Sequence, residues 1–172
     1  MSKSPYLSVA GVALAAAIGL AVSPARADDA EMAKSAKISI VQAIEAAEAK
    51  GGGKATEADF EDDNGGRWEI KVIADGGNKL TEYYIDPNSG EVKGQEEQTF
   101  EKYFTMLKPE DFSKAQVQLK DAIAAAEKAA GGKAYGAEVE RSGDAVAYEI
   151  DVITDQGDKD VDVDATGNAK VD

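Results

Sequence analysis

The chain has 172 residues but no cysteine, no histidine and a single tryptophan, and its 19 basic residues face 33 acidic ones. Each shortage excludes something. Without cysteine, a lipid-modified cysteine at a mature N-terminus is ruled out, and stability must come from a packed core, from bound ions, or from both. Without histidine or cysteine, histidine-based acid–base catalysis, the usual serine and cysteine triads and the common zinc sites fall away. Trp68 falls on a predicted core face, so the paired carboxylates have no aromatic-lined sugar cleft to work in. "GGGKAT" (Gly51–Thr56) is not a phosphate loop, because Glu48 stands where the first glycine belongs and the stretch follows a helix rather than a strand. With a net charge of −14, the protein repels nucleic acid and anionic membrane surfaces. Cations and basic proteins remain as partners.

The first 27 residues have the form of a secretory signal peptide. Lys3 is a short basic region, Leu7 to Val22 is apolar, and Ala25-Arg26-Ala27 is a small-x-small cleavage site. The expectation is an exported, periplasmic protein, cleaved after Ala27 and off the membrane from then on. Lys3 and Arg26 are the only charges removed, leaving 17 basic against 33 acidic residues, a net of −16.

What remains contains one unit twice. "VQAIEAAEAKGGGKATEADFE" (Val41–Glu61) matches "KDAIAAAEKAAGGKAYGAEVE" (Lys120–Glu140), and "WEIKVIADGGNK" (Trp68–Lys79) matches "YEIDVITDQGDK" (Tyr148–Lys159). Each copy opens with a helix. Ser39 and Gln42 form a capping box for the first, with Ile40, Ala43, Ile44 and Ala47 on one face. Leu119, Ala122, Ile123, Ala126 and Ala130 stripe the second. Glycines end both. Alternating strands follow, Trp68-Ile70-Val72 and Tyr148-Ile150-Val152, with hairpin turns at Asp75–Asn78 and Asp155–Asp158. Between the copies, Phe100, Tyr103, Phe104 and Leu107 predict a short amphipathic helix that Pro109 ends.

A helix ending in Gly-Gly, an aromatic-Glu-Ile-x-Val strand, a turn, and a strand closing on Ile/Val-Asp before a glycine resembles the PepSY family, over roughly 41–92 and 117–169. The resemblance implies an α+β fold of two PepSY-like units, each a helix on a small antiparallel sheet. It also implies an exported or envelope-facing protein. Such units occur in protease propeptides, where an inhibitory role is proposed, and in small periplasmic proteins, some of which, in methylotrophs, are linked to lanthanide binding. No shared catalytic residues come with the family, and no enzyme activity is expected. The domains read as a signal peptide (1–27), repeat 1 (28–93), a connecting helix and linker (94–113) and repeat 2 (114–172).

The copies differ in charge. Over 67–86 three basic residues meet four acidic ones; over 148–164 Lys159 stands alone against seven acids. A turn at Asp155–Asp158 sets Val152 opposite Val161 and Ile150 opposite Val163. On the other face Asp151 then opposes Asp162 and Glu149 opposes Asp164, with Asp160 nearby. Carboxylates directly opposed at about 5 Å repel by about 0.8 kcal/mol even in water. A hard cation relieves this, and calcium or a lanthanide takes six to eight oxygens of this kind. Glu149, Asp151, Asp160, Asp162 and Asp164, with Asp155 and Asp158 at the turn, are therefore the candidate metal ligands. The competing reading is a solvated acidic face that serves solubility. The spacing is not an EF-hand, since Val163 and Ala169 occupy its glycine and glutamate positions. "EDDNGG" (Glu61–Gly66), with Asp59, reads as a turn or a weaker ion site. Two functions follow. One is a non-enzymatic periplasmic binder of Ca²⁺ or a lanthanide; the other is an interaction module that restrains a protease or docks an envelope protein.

Overall fold

The structure, a computed structural model, describes residues 24–98, 112, 115–142 and 145–172. Helix α1 runs Pro24–Ser35 and spans the expected cleavage point. Copy one comprises α2 (Ile40–Gly51), β1 (Lys54–Glu61), β2 (Arg67–Ala74), β3 (Lys79–Ile85) and β4 (Val92–Gln98). Copy two comprises α3 (Leu119–Ala130), β5 (Lys133–Ser142), β6 (Ala145–Thr154), β7 (Gly157–Val163) and β8 (Ala169–Val171). The aromatic stripe at Phe100–Leu107 lies outside the described residues, while β4 occupies the start of the expected linker. No described helix is long and apolar enough to cross a membrane.

Local chemistry sets the helix limits. Ser39 Oγ accepts the Gln42 N–H at 3.3 Å, and the Ser39 N–H donates to Gln42 Oε1 at 2.9 Å, closing the capping box. Gly52 and Gly131 take the left-handed conformation that ends each helix, with φ of 67° and 76°. The next glycine in each copy is needed for closeness. A Cβ on Gly53 would lie 2.1 Å from the Ile73 carbonyl oxygen, and one on Gly132 would lie 2.2 Å from that of Ile153.

All strands join in one antiparallel sheet, ordered β4-β3-β2-β1-β5-β6-β7-β8. The copies meet edge to edge where Glu57, Ala58 and Asp59 of β1 pair with Glu138, Ala137 and Gly136 of β5. α2 packs on β1–β3 and α3 on β5–β8, both over one face. The alanine-rich stripes on these helices are buried against Trp68, Ile70, Val72, Tyr148, Ile150 and Val152. Trp68 is thus a core residue, edge-on to Phe60. α1 closes one end of the seam. Its Ala30 and Ala33 are buried, Asp29 accepts the Asp62 N–H at 2.9 Å, and Lys34 reaches Asp155 at 3.0 Å.

The first hairpin has the register expected from its turn, with Lys71 opposite Glu82 and Glu69 opposite Tyr84. The second differs. Thr154 already pairs with Gly157, so the loop is two residues rather than four. Thr154 Oγ1 tightens it by donating to the Gly157 carbonyl at 2.7 Å and accepting the Gln156 N–H at 3.1 Å. Ile150 therefore opposes Val161, and Tyr148 opposes Val163. The shift is by two, an even number, so every residue keeps its predicted face.

Candidate cation site

Strand alternation leaves the second sheet face to polar side chains, and the ladder registers arrange these in two rows. One row crosses Tyr84, Glu69, Asp59, Gly136, Asp151 and Asp160. The other crosses Glu82, Lys71, Glu57, Glu138, Glu149, Asp162 and Lys170. Together they carry nine carboxylates and two lysines. The rows run unbroken across the seam, so both copies build the acidic face.

Four of the seven candidate ligands fall in these rows. Glu149 opposes Asp162, and Asp151 opposes Asp160, in place of the expected Asp151–Asp162 and Glu149–Asp164 pairs. Asp151 is buried, with 7 % of its surface exposed, whereas Glu149, Asp160 and Asp162 are exposed. The other three lie elsewhere. Asp155 is in the turn, its side chain 97 % exposed and paired with Lys34. Asp158 is half-buried opposite Ile153. Asp164 follows β7 and holds the turn to β8. Its carboxylate accepts hydrogen bonds from the Thr166 N–H and hydroxyl and from the Asn168 N–H and side-chain amide. These four donors hold its pKa far below the ordinary carboxylate range. Asp86, its counterpart, accepts the Asn88 and Ser89 N–H groups and is likewise lowered.

The centre of the face lies at the seam, where the sequence reading did not place it. A cavity of about 260 Å³ is lined by Asp29, Glu57, Asp59, Glu61, Glu138, Glu149 and Asp151, with Phe60, Tyr135 and Ala137. Gly136 forms part of the strand floor. A Cβ there would sit 2.6 Å from Asp151 Oδ2 and 3.1 Å from Asp59 Oδ1. Glycine thus lets two carboxylates from non-adjacent strands lean over one backbone position. The electrostatic cost falls on Asp59. Desolvation, then the charges of Glu57 and Asp151, push its pKa well above the ordinary value. Desolvation also raises Glu138, with Glu57 and Glu140 adding to it. Asp29 and Glu61 are raised for the same leading reason.

Among the described residues, no three carboxylates converge closely enough to hold an ion as their side chains stand. The signal that could have found Glu57 and Glu138, and tied Asp59 to them rather than to "EDDNGG", is the alternation in "TEADFE" and "AEVE". It becomes a cluster only through the β1–β5 pairing. "EDDNGG" is a turn, with Asn64 at φ 56° and Asp63 3.9 Å from Arg67; its neighbour Asp59 belongs to the central cavity.

Comparison with known proteins bears on the scaffold. The family model for PepSY, described as the peptidase propeptide and YPEB domain, matches residues 37–96 and 116–166. No curated protein matches the chain. A solved structure, a candidate lipoprotein from Clostridium difficile 630, superposes with a TM-score of 0.50 at 19 % identity, covering 84 % of this chain and 98 % of the other. At that identity the likeness concerns the fold alone.

Proposed function

The chain belongs to the PepSY family, and from that premise we propose an exported, non-enzymatic protein that binds a hard multivalent cation, Ca²⁺ or a lanthanide, on the acidic sheet face. The observation that carries this reading is the pair Asp59 and Asp151 leaning over Gly136. An acidic face made for solubility needs its carboxylates in water and apart. Here one is buried and the other strongly desolvated, in a cavity lined by five further acids. A cation entering it would replace mutual repulsion with attraction, and its binding requires these side chains to turn toward it, since they do not converge as they stand. Asp59, Asp151, Glu138 and Glu149 are the proposed inner ligands. Asp160 and Asp162 on β7 add to the acidic field beside this set, and water completes the six to eight oxygens such ions take.

A ligand that binds the folded state raises its stability, by about 2.7 kcal/mol at a hundredfold excess over Kd. Melting of metal-stripped residues 28–172 should therefore shift upward with Ca²⁺ or La³⁺. The shift should vanish in Asp151→Asn and persist in Asp155→Asn. A shift of equal size in both variants would place binding elsewhere. No shift even in the parent protein would leave the face as a solvated surface and turn attention to protein partners.

A further inference from the structure

The two copies can be compared position by position about the seam. Ala58 pairs with Ala137 at its centre. Across the next ladders Ala58 pairs with Ile70, and Ala137 with Ile150. One step along, Glu57 pairs with Lys71, and Gly136 pairs with Asp151. Where copy one has an acid and a lysine, copy two therefore has a glycine and an aspartate.

In copy one this position already holds a cation. Lys71 Nζ lies 2.5 Å from Glu57 Oε1, with both side chains largely buried. Lys71 faces Glu82 on its other flank, and its charge also acts on Asp59. Burial pulls the ammonium pKa down, but the Glu57 contact together with the charges of Glu82 and Asp59 offsets this, and the net shift is upward. Glu57 and Asp59 line the same cavity as Asp151. The tethered ammonium and an incoming ion would thus draw on the same carboxylates.

We propose that Lys71 is a built-in counter-ion that competes with the exogenous cation for Glu57 and Asp59, and so sets the affinity of the acidic face. This rests on the cation reading above. Without Lys71, the copy-one half of the face becomes as open to an ion as the copy-two half. With it, that half is neutralised from within, and ions that repay displacement of an ammonium are favoured.

The test is calorimetric titration of La³⁺ into metal-stripped wild type, Lys71→Met and Lys71→Arg. Methionine keeps the aliphatic stem and removes the charge; arginine keeps the charge. Lys71→Met should bind La³⁺ about tenfold more tightly or take up an additional ion, as removing a nearby like charge requires, while Lys71→Arg stays near wild type. A second readout needs no variant. In wild type, the ¹⁵N resonance of the Lys71 ammonium should move on La³⁺ addition as Glu57 is withdrawn, and that of exposed Lys93 should stay. Wild-type binding with an unchanged Lys71→Met titration and a still Lys71 resonance overturns the competition alone. Absence of saturable binding in wild type overturns the cation reading, and this proposal with it.

Discussion

Asp59 concentrates the physical tension of the molecule. Its carboxyl group is pushed well above the ordinary carboxylate range by desolvation and by Glu57 and Asp151. A carboxyl group whose folded pKa is raised favours folding when protonated, and that contribution is lost as pH rises through the folded pKa. The metal-free protein should therefore gain stability as pH falls from neutral toward about 4. Below that range, Asp86 and Asp164, whose folded pKa values are lowered, remove stability as they protonate. Asp59→Asn should raise the melting temperature of the metal-free protein at pH 7 and flatten its rise toward mild acid, while weakening the response to cation. Melting curves across pH, with and without La³⁺, check this. A variant less stable than wild type in metal-free buffer at pH 7 would contradict the account of Asp59. Glu149, Asp151, Asp160 and Asp162 were legible in the sequence because their alternation is local to one hairpin. Glu57 and Glu138 were not, and Asp59 was read only beside the "EDDNGG" turn, because these residues join Asp151 only through a ladder between residues about eighty apart in sequence.

At the scale of elements, the helices that open each copy, α2 and α3, were the most legible parts, while α1 was not foreseen. The limits of α2 and α3 come from short-range chemistry, a capping box at Ser39 and left-handed glycines at Gly52 and Gly131. The first hairpin register was legible for the same reason, since its four-residue turn follows from Asp75–Asn78. The second slipped by two because the Thr154 hydroxyl closes a tighter loop, a contact that the charge and glycine pattern of "DQGD" does not announce. The faces survived because period-two alternation is indifferent to an even shift. Asp164 marks where pattern reading fails. It continues the alternation of Asp158, Asp160 and Asp162, yet its oxygens are committed to the turn before β8. Asp164→Ala should lower the melting temperature by a few degrees and leave cation titration intact, as thermal melting and calorimetry on the same sample would show. Lost cation binding in a folded Asp164→Ala protein would return this residue to the ligand set.

As a whole, the molecule is a duplication whose charge has diverged on one side of the sheet. The helix-covered face keeps equivalent residues in both copies, Ile70 and Ile150 or Val72 and Val152, because one packing problem is solved twice. Among the described residues neither α2 nor α3 packs on the opposite face, so Lys71 and Asp151 could part company in charge without disturbing the core. Joining the copies through β1 and β5 brings their acidic rows into one field, which neither copy would form alone. The duplication and fold class could be read from sequence; the single eight-stranded sheet could not, since edge-to-edge joining depends on which two edges meet. The central claim is that this joint face takes up a hard cation. Calorimetric titration of metal-stripped residues 28–172 with La³⁺, repeated with Ca²⁺ at physiological salt, tests it most directly. The account predicts saturable binding that Asp59→Asn and Asp151→Asn together abolish. Absence of saturable heat with either ion, or binding indifferent to that double substitution, would contradict it.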